Sequence, residues 1–171
     1  MKGGLLMNIF KVNGKVNYVA LLISILITEG IGFLSGFLGM TDPNFYATLK
    51  KPFFSPPGWV FPIVWTILYF LMAVAVYRVL LKGQMGEFIN KAIFLFVIQL
   101  GLNFLWSIIF FRFQLFGLAF LELLLLLVFI LLTTFEFFKI DKTAGILMIP
   151  YIIWVSFAGV LNYVLWLLNE A

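Results

Sequence analysis

Five long apolar stretches constrain this chain more than any other feature of its sequence. A helix needs about 20 apolar residues to cross the roughly 30 Å hydrocarbon core of a bilayer. The stretches are continuous and do not alternate between apolar and polar residues, which favours helices over the strands of a barrel. The predicted spans cover residues 18–40, 58–81, 88–111, 115–137 and 143–168. We therefore predict an all-α integral membrane protein, a bundle of five transmembrane helices that forms a single domain over residues 1–171.

Composition narrows the possible functions. Hydrophobic residues make up 64% of the chain and charged residues 11%, whereas soluble proteins carry about 25% charged residues. Because the chain has no His and no Cys, it lacks the commonest general base and the thiolate metal ligands. We expect no metal site, and we find no phosphate-binding glycine loop and no nucleophile paired with a base. The net charge of +4 fits loops that face anionic lipid better than a nucleic-acid surface, so we expect the bilayer, and no nucleic acid, as partner.

Basic residues in the loops predict the orientation, because Lys and Arg concentrate on the cytoplasmic side of membrane proteins. The tail before the first span and the loops after the second and fourth spans carry eight of them: Lys2, Lys11, Lys15, Arg78, Lys82, Lys91, Lys139 and Lys142. The opposite side carries Lys50, Lys51 and Arg112. The N-terminus is therefore predicted to lie inside. A cleaved leader is the alternative for the first span, but this stretch is longer than a leader's apolar region and has no clear A-x-A site.

The first loop, residues 41–57, is long and rich in proline and aromatic residues. Its prolines are Pro43, Pro52, Pro56 and Pro57, and its rings are Phe45, Tyr46, Phe53 and Phe54. Proline fixes the backbone and prevents helix, so we expect a stiff, irregular segment. We interpret it as a cap over one end of the bundle. A loose surface loop is the alternative, although it would expose four large rings.

Two carboxyl groups fall within predicted spans, where an ionised group costs about 2.5–3.5 kcal/mol by insertion scales. Glu29 lies near the middle of the first span, beside Gly32 and Gly36, whose spacing lets another helix approach closely. It is interpreted as a neutral group in a packing seam, with proton-coupled transport as the alternative. Glu122 lies in the fourth span, near the end that carries Arg112. We expect a structural hydrogen bond or ion pair there, or a role in lining a ligand cavity.

Three spans each present a tryptophan on one helical face together with amide, phenol or small side chains. These stripes are Trp65 and Tyr69, then Gln99, Asn103 and Trp106, then Trp154, Ala158 and Asn162. Each stripe taken alone fits ordinary core packing, in which amides join membrane helices. Together they indicate a flat, aromatic-walled pocket with few hydrogen-bonding groups, which suits a planar apolar ligand.

Four segments of the chain resemble motifs of one known family. They are FYATLKKP at 45–52, PPGWVFPIVWTILY at 56–69, QLGLNFLW at 99–106 and PYIIWVSFA at 150–158. Together they resemble the tryptophan-rich sensory protein/translocator protein family (TspO/MBR), also called peripheral-type benzodiazepine receptors, and specifically its bacterial members. The resemblance covers residues 18–169.

The resemblance implies a homodimer that binds porphyrins, such as protoporphyrin IX, sterols, and isoquinoline-carboxamide or benzodiazepine-type drugs, and we expect it in the cell (plasma) membrane. Its pocket would lie under the first loop. Carried over by position, its lining would be Trp65, Asn103, Trp106, Trp154, Ala158 and Leu161, with Tyr46 as lid. Tyr69, which shares a stripe with Trp65, is a further expected lining residue. Animal members have a basic residue shortly after the tyrosine that matches Tyr163, within a sterol motif, and this chain has none there.

The resemblance also implies an unusual chemistry. Bacterial relatives degrade protoporphyrin IX in light, with the tryptophans that match Trp65 and Trp154 implicated, so these two residues are the predicted photochemical pair. Such a reaction would use light and oxygen without conventional acid–base residues and would require no further cofactor. A site without His or Cys offers no usual ligand for haem iron, which favours a metal-free macrocycle. The alternatives are a transporter of tetrapyrroles or other lipophiles, and a sensor that regulates tetrapyrrole metabolism through a partner protein.

Overall fold

Five helices in this computed structural model, which describes residues 9–40 and 42–170, are long and apolar enough to cross a membrane. They are α1 (Tyr18–Gly39), α3 (Val60–Gln84), α4 (Asn90–Ser107, continued by a π-helical turn Ile108–Arg112), α5 (Phe116–Ile140) and α6 (Lys142–Asn169). A short helix, α2 (Phe45–Thr48), lies between α1 and α3. The described residues form no strand, which confirms the predicted all-α fold and its five spans. Lys2, which counts in the predicted charge asymmetry, lies outside the described residues.

Polar side chains define where several helices begin. Asn17 and Asp141 each accept a hydrogen bond from the backbone N–H three residues further on, at 3.0 Å and 2.8 Å. These bonds satisfy donors that the first turn of a helix leaves without a partner. Glu170 caps a different helix from the one it follows: its carboxylate accepts a hydrogen bond from the backbone N–H of Phe116, at the start of α5, at 2.7 Å. The start of α5 is thereby fixed to the end of α6.

The helix α4 does not continue regularly to the end of the predicted span. Its last turn is π-helical, and the backbone N–H of Phe113 donates to the carbonyl of Ile108 at 3.1 Å. Turns of this kind are short and often occur at functional sites. The wider turn buries Phe110, whose ring centroid lies 5.1 Å from that of Trp106 and 5.0 Å from that of Phe116. The π turn therefore adds a ring to the aromatic cluster described below.

The helices α3, α4, α5 and α6 form the compact part of the bundle, and α1 packs on its side. Only 17% of the apolar window of α1 is buried, against 44% for α3 and α6. A Cβ added at Gly32 would overlap the ring of Tyr69, and one added at Gly39 would overlap Ser107. One added at Gly36 would meet nothing within 4 Å. The predicted packing seam is therefore confirmed at Gly32, whereas no other helix of this chain approaches Gly36.

A buried ion pair joins three parts of the chain at the end opposite α2. The guanidinium of Arg78 donates to both carboxylate oxygens of Asp141 at 2.8 Å, and also to the backbone carbonyls of Ile9 and Lys11. Burial raises the pKa of Asp141, but hydrogen bonds from Arg78 and from the backbone of Ala144 outweigh this and hold the pKa below its ordinary value. The segment before α1 is thus tied to α3 and to the start of α6.

The two carboxyl groups within the spans differ in their surroundings. Both carboxylate oxygens of Glu122 are buried and have no hydrogen-bond partner among the described residues. The predicted hydrogen bond or ion pair of Glu122 is therefore wrong. Arg112 instead donates to the backbone carbonyl of Leu38 at 3.3 Å, which ties the π turn to α1. Glu29 is half-buried on α1.

Candidate functional site

Trp65 on α3 is the centre of an aromatic cluster that joins three helices. Its ring centroid lies 5.8 Å from that of Tyr69, 6.4 Å from that of Trp106 on α4 and 6.2 Å from that of Tyr151 on α6. Such distances are typical of favourable contacts between aromatic rings. The first two stripes predicted from the sequence therefore meet in the interior. Tyr151 was not singled out by the sequence, although it lies three residues before Trp154 and could have been assigned to the same face.

Hydrogen bonds hold one side of this cluster in place. The phenol of Tyr69 donates to Oδ1 of Asn103, and Nδ2 of Asn103 donates to the phenol oxygen of Tyr151 at 2.7 Å. Tyr151 in turn donates to Oε1 of Gln99 at 3.0 Å. Within this network each buried phenol finds a partner across a helix interface, as buried polar groups in lipid require. The network fixes the orientation of Tyr69 and Asn103.

Trp106 and Trp154 differ in how their indole N–H groups are used. Nε1 of Trp106 donates to Oδ1 of Asn162 at 3.1 Å, and Nδ2 of Asn162 donates to the carbonyl of Phe116 at 2.8 Å. Nε1 of Trp154 is buried and has no partner among the described residues. An unpaired buried donor costs about 1–3 kcal/mol. Trp154 is therefore the tryptophan of the predicted site whose buried donor is unsatisfied among the described residues.

Trp154 lies in a second group of rings, next to the segment that connects α1 and α3. Its ring centroid lies 5.9 Å from that of Phe61 and 5.5 Å from that of Phe157. Phe61 contacts Tyr46 at 5.1 Å, so one ring separates Trp154 from Tyr46. Phe61 was not among the predicted site residues, although it precedes Trp65 by one helical turn and belongs to the same face of α3.

The connecting segment is held by hydrogen bonds of its own. The phenol of Tyr46 bonds with the hydroxyl of Ser55 at 2.9 Å, and burial raises the pKa of Tyr46 despite this bond. The ammonium group of Lys51 donates to the carbonyl of Tyr46 at 2.8 Å. Asn169, at the end of α6, accepts from the backbone N–H of Lys50 and donates to its carbonyl, both at 3.0 Å. The segment is thus fastened to the end of α6.

The remaining predicted site residues lie on the same helix as Trp154. Ala158 and Leu161 are buried on α6, within the same apolar core as Trp65 and Trp106. An open cavity of about 490 Å³ lies elsewhere, between α1, α3 and α4, and Gly101 is among its lining residues. At the predicted site the aromatic rings contact one another directly.

Comparison with known proteins identifies the family. Residues 24–167 match the model of the TspO/MBR family. The chain is 41% identical to the tryptophan-rich protein TspO of Chlorobaculum tepidum, over 82% of this chain and 92% of that protein. It is 40% identical to the tryptophan-rich protein TspO of Archaeoglobus fulgidus, over 90% and 99% of the two chains. It is also 37% identical to the translocator protein of Homo sapiens, over 72% of this chain and 73% of that protein.

These matches agree with the architecture. The resemblance that the four sequence motifs indicated is confirmed, since the matched residues include all four of them. Five apolar helices together with this family make the chain an integral membrane protein. The chain belongs to the TspO/MBR family.

Proposed function

We propose that this protein is a membrane receptor for porphyrins, protoporphyrin IX among them, and for planar isoquinoline-carboxamide and benzodiazepine-type ligands. One observation carries the proposal: Trp154 has a buried indole N–H without a partner, amid the rings of Phe61 and Phe157. A planar macrocycle offers flat faces to such rings and hydrogen-bond acceptors at its edge. Binding would pair the unsatisfied donor and so remove its cost.

In this proposal the segment that connects α1 and α3 closes the route by which a ligand reaches Trp154. The ring of Tyr46 contacts that of Phe61, which in turn contacts Trp154. The segment is held at Lys50 by hydrogen bonds to Asn169. A ligand that reaches Trp154 from this end of the bundle has to lift the segment. We therefore expect ligand binding to be slow compared with diffusion, because it requires a conformational step.

We further propose that bound porphyrin is degraded in light, with Trp65 and Trp154 as the photochemical pair. Light supplies the excitation energy, molecular oxygen is the oxidant that is reduced, and the electron-rich indoles lie against the ligand. Neither acid–base residues nor a metal ion is needed, in keeping with a chain that has no His and no Cys. Among the described residues no cluster of three or more potential metal ligands is found.

An absorbance time course of protoporphyrin IX with purified protein, in light and in the dark, tests this function. We expect a protein-dependent spectral change in the dark and a decay in light that is faster than that of free porphyrin. Trp154→Phe at saturating porphyrin should keep the dark change and lose the faster decay. The matched control is Trp166→Phe, because Trp166 packs against Phe120 and Tyr163, outside the site. A decay that is unchanged in Trp154→Phe would contradict the photochemical role.

Transport is the second candidate, favoured by the name of the 37% identical human relative, a translocator protein. It predicts directional, saturable flux of protoporphyrin IX into sealed liposomes that contain the protein. Binding of protoporphyrin IX without flux would argue against transport and favour the receptor function. A sensor acting through another protein predicts instead that a stable partner is purified together with the chain.

Orientation, location and assembly complete the proposal. We propose a homodimer in the cell (plasma) membrane with the N-terminus inside, supported by the predominance of basic residues at that end of the bundle. Because the chain has no Cys, a single Cys introduced at Gln84 or at Phe53 can be labelled selectively. An impermeant maleimide should label whole cells at Phe53→Cys and not at Gln84→Cys. The reverse pattern would refute the orientation, and a monomeric mass in mild detergent would argue against the dimer.

A further inference from the structure

We propose that the cavity between α1, α3 and α4 is a binding site for one anionic phospholipid, drawn from the leaflet at the lysine-rich end of the bundle. The cavity measures about 490 Å³ and is separate from the tryptophan site, since neither Trp65 nor Trp154 lines it. The proposal is therefore independent of the function proposed above. One acyl chain would lie in the cavity, and the phosphate of the headgroup would lie at its end.

The length of the cavity matches one leaflet. Along α1 it extends from Ile23 to Ile31, and an adjoining depression of about 440 Å³ shares Ile23 with it and begins at Ala20. From Ala20 to Ile31 the helix rises about 16 Å, at 1.5 Å per residue. Half of a hydrocarbon core of roughly 30 Å is about 15 Å. A groove of this length takes up one acyl chain from the polar surface to the bilayer centre.

The lining suits an acyl chain and little else. It is almost wholly apolar, and no charged residue contributes to it. The hydroxyl-bearing residues Ser24 and Thr28 are buried on α1, and Gly101 on α4 leaves open space where a Cβ would be. Within a bilayer, binding here depends on close packing, because lipid tails are as apolar as the lining. A narrow groove favours one acyl chain because its walls contact that chain closely along its length.

Charge at the polar end selects an anionic headgroup. Gly83 and Gln84 form this end of the depression. Next to them Lys82 donates to Oδ1 of Asn13 at 3.4 Å, and Asn13 belongs to the tight turn from Val12 to Lys15. Lys82 and, through this turn, Lys15 thus lie at the end of the bundle that carries Gly83 and Gln84. Neither lysine takes part in an ion pair within 4.0 Å in the described part of the chain.

The same end carries two acidic residues, Glu87 in the loop between α3 and α4 and Asp141, which is paired with Arg78. The two lysines outnumber Glu87, and each lysine near a membrane surface favours an anionic lipid by about fivefold. A second copy of the chain is the competing occupant. A helix of a second copy occupies on the order of 1,500 Å³ over the same length, so it can cover the 490 Å³ cavity but cannot enter it, whereas one acyl chain can. Entry into the cavity and the charge at its polar end therefore favour a lipid.

Native mass spectrometry of the full chain in mild detergent tests this proposal. Protein is equilibrated with dioleoyl phosphatidylglycerol or dioleoyl phosphatidylcholine at equal concentration, and retained lipids are counted for each chain. We expect one retained phosphatidylglycerol and weaker retention of phosphatidylcholine. Gly101→Leu should fill the groove and lower retention on the order of tenfold. The matched control is Gly36→Leu, at a position that is equally open but does not line the cavity.

Two further variants separate the headgroup from the chain. Lys82→Gln should lower phosphatidylglycerol retention about fivefold without changing that of phosphatidylcholine, and Lys142→Gln at the start of α6 should change neither. If Gly101→Leu does not fold, Val97→Phe fills the same cavity from an exposed position on α4. Equal retention by the groove-filling variant and the wild type would overturn the site. Equal retention of the two lipids would overturn the headgroup assignment, and a changed oligomeric mass with unchanged lipid would identify a second copy as the occupant.

Discussion

Trp154→Phe should leave the stability of the ligand-free protein nearly unchanged, although it removes part of a large side chain from the interior. The substitution removes an indole N–H that is buried without a partner, and so removes a cost of about 1–3 kcal/mol. Against this stands the loss of apolar contact when an indole becomes a phenyl ring, about 1–2 kcal/mol. The phenyl ring should keep contact with Phe61 and Phe157, the two rings that lie beside Trp154. We expect a net change within about 1 kcal/mol.

Trp106→Phe is the matched comparison, because it makes the same chemical change to a tryptophan whose N–H is in use. It loses the 3.1 Å bond to Asn162 and leaves Oδ1 of Asn162 unpaired in the interior. The unpaired acceptor and the lost apolar contact both lower the free energy of unfolding. We expect a loss of about 2–4 kcal/mol. The difference between the two variants isolates the hydrogen bond from the change in ring size.

The assay is reversible unfolding in mixed micelles of mild detergent and SDS, followed by far-UV circular dichroism. Tryptophan fluorescence is unsuitable because each variant removes a fluorophore. The same two variants are then titrated with protoporphyrin IX in the dark. Trp154→Phe should bind about fivefold more weakly, the equivalent of one hydrogen bond of about 1 kcal/mol. If Trp154→Phe loses as much stability as Trp106→Phe, the indole N–H of Trp154 has a partner in the folded protein and the reasoning fails.

Three other perturbations follow from contacts away from the tryptophans. Asp141→Asn breaks the buried pair with Arg78 and should lower the free energy of unfolding by about 3 kcal/mol. Because the pKa of Asp141 is lowered in the folded state, wild-type stability should hold above an unfolded pKa of about 4 and fall as the pH drops below it. Unfolding measured at pH 6 and pH 3 should show a smaller pH dependence in the variant. Asn169→Ala removes both bonds to Lys50 and should speed trypsin cleavage after Lys50 about fivefold; an unchanged rate would mean that the segment is held by other contacts. Gly32→Ala drives a methyl group into a ring on α3 and should cost about 1–3 kcal/mol in SDS unfolding; a neutral result would show that α1 shifts freely.

The sequence was sufficient to predict the spans and to identify the faces that turn inward. Length and hydropathy determine where a helix crosses lipid, and helical spacing placed Gln99, Asn103 and Trp106 on one side, where all three are buried. Spacing along one helix carries no information about partners on another. It therefore did not distinguish Trp106, which is hydrogen-bonded, from Trp154, which is not. The distinction depends on where α5 begins, because Asn162 on α6 contacts Phe116 there.

Two further features were beyond the sequence for related reasons. Glu122 was expected to find a partner because Arg112 is near it in the chain, but Arg112 faces α1 after the π turn, and both carboxylate oxygens of Glu122 remain unpaired among the described residues. A π turn depends on a shift of one residue in the hydrogen bonding of the backbone, which leaves no clear mark in residue order. Nor did the sequence show that the segment before α1 is tied to Arg78, since these bonds join backbone carbonyls, which every residue carries.

The position of α1 connects the two proposed sites. The helices α3, α4, α5 and α6 share a continuous core, whereas α1 is buried over only 17% of its apolar window. It touches the rest of the bundle through small residues, Gly32 at Tyr69 and Gly39 at Ser107, and it forms one wall of the lipid cavity. Tyr69 also belongs to the network that orients Asn103 beside Trp65. A lipid that holds α1 against α3 would hold the Tyr69 ring as well, so porphyrin affinity should rise with phosphatidylglycerol in the wild type and stay constant in Gly101→Leu. A constant affinity in both proteins would show that the two sites are uncoupled.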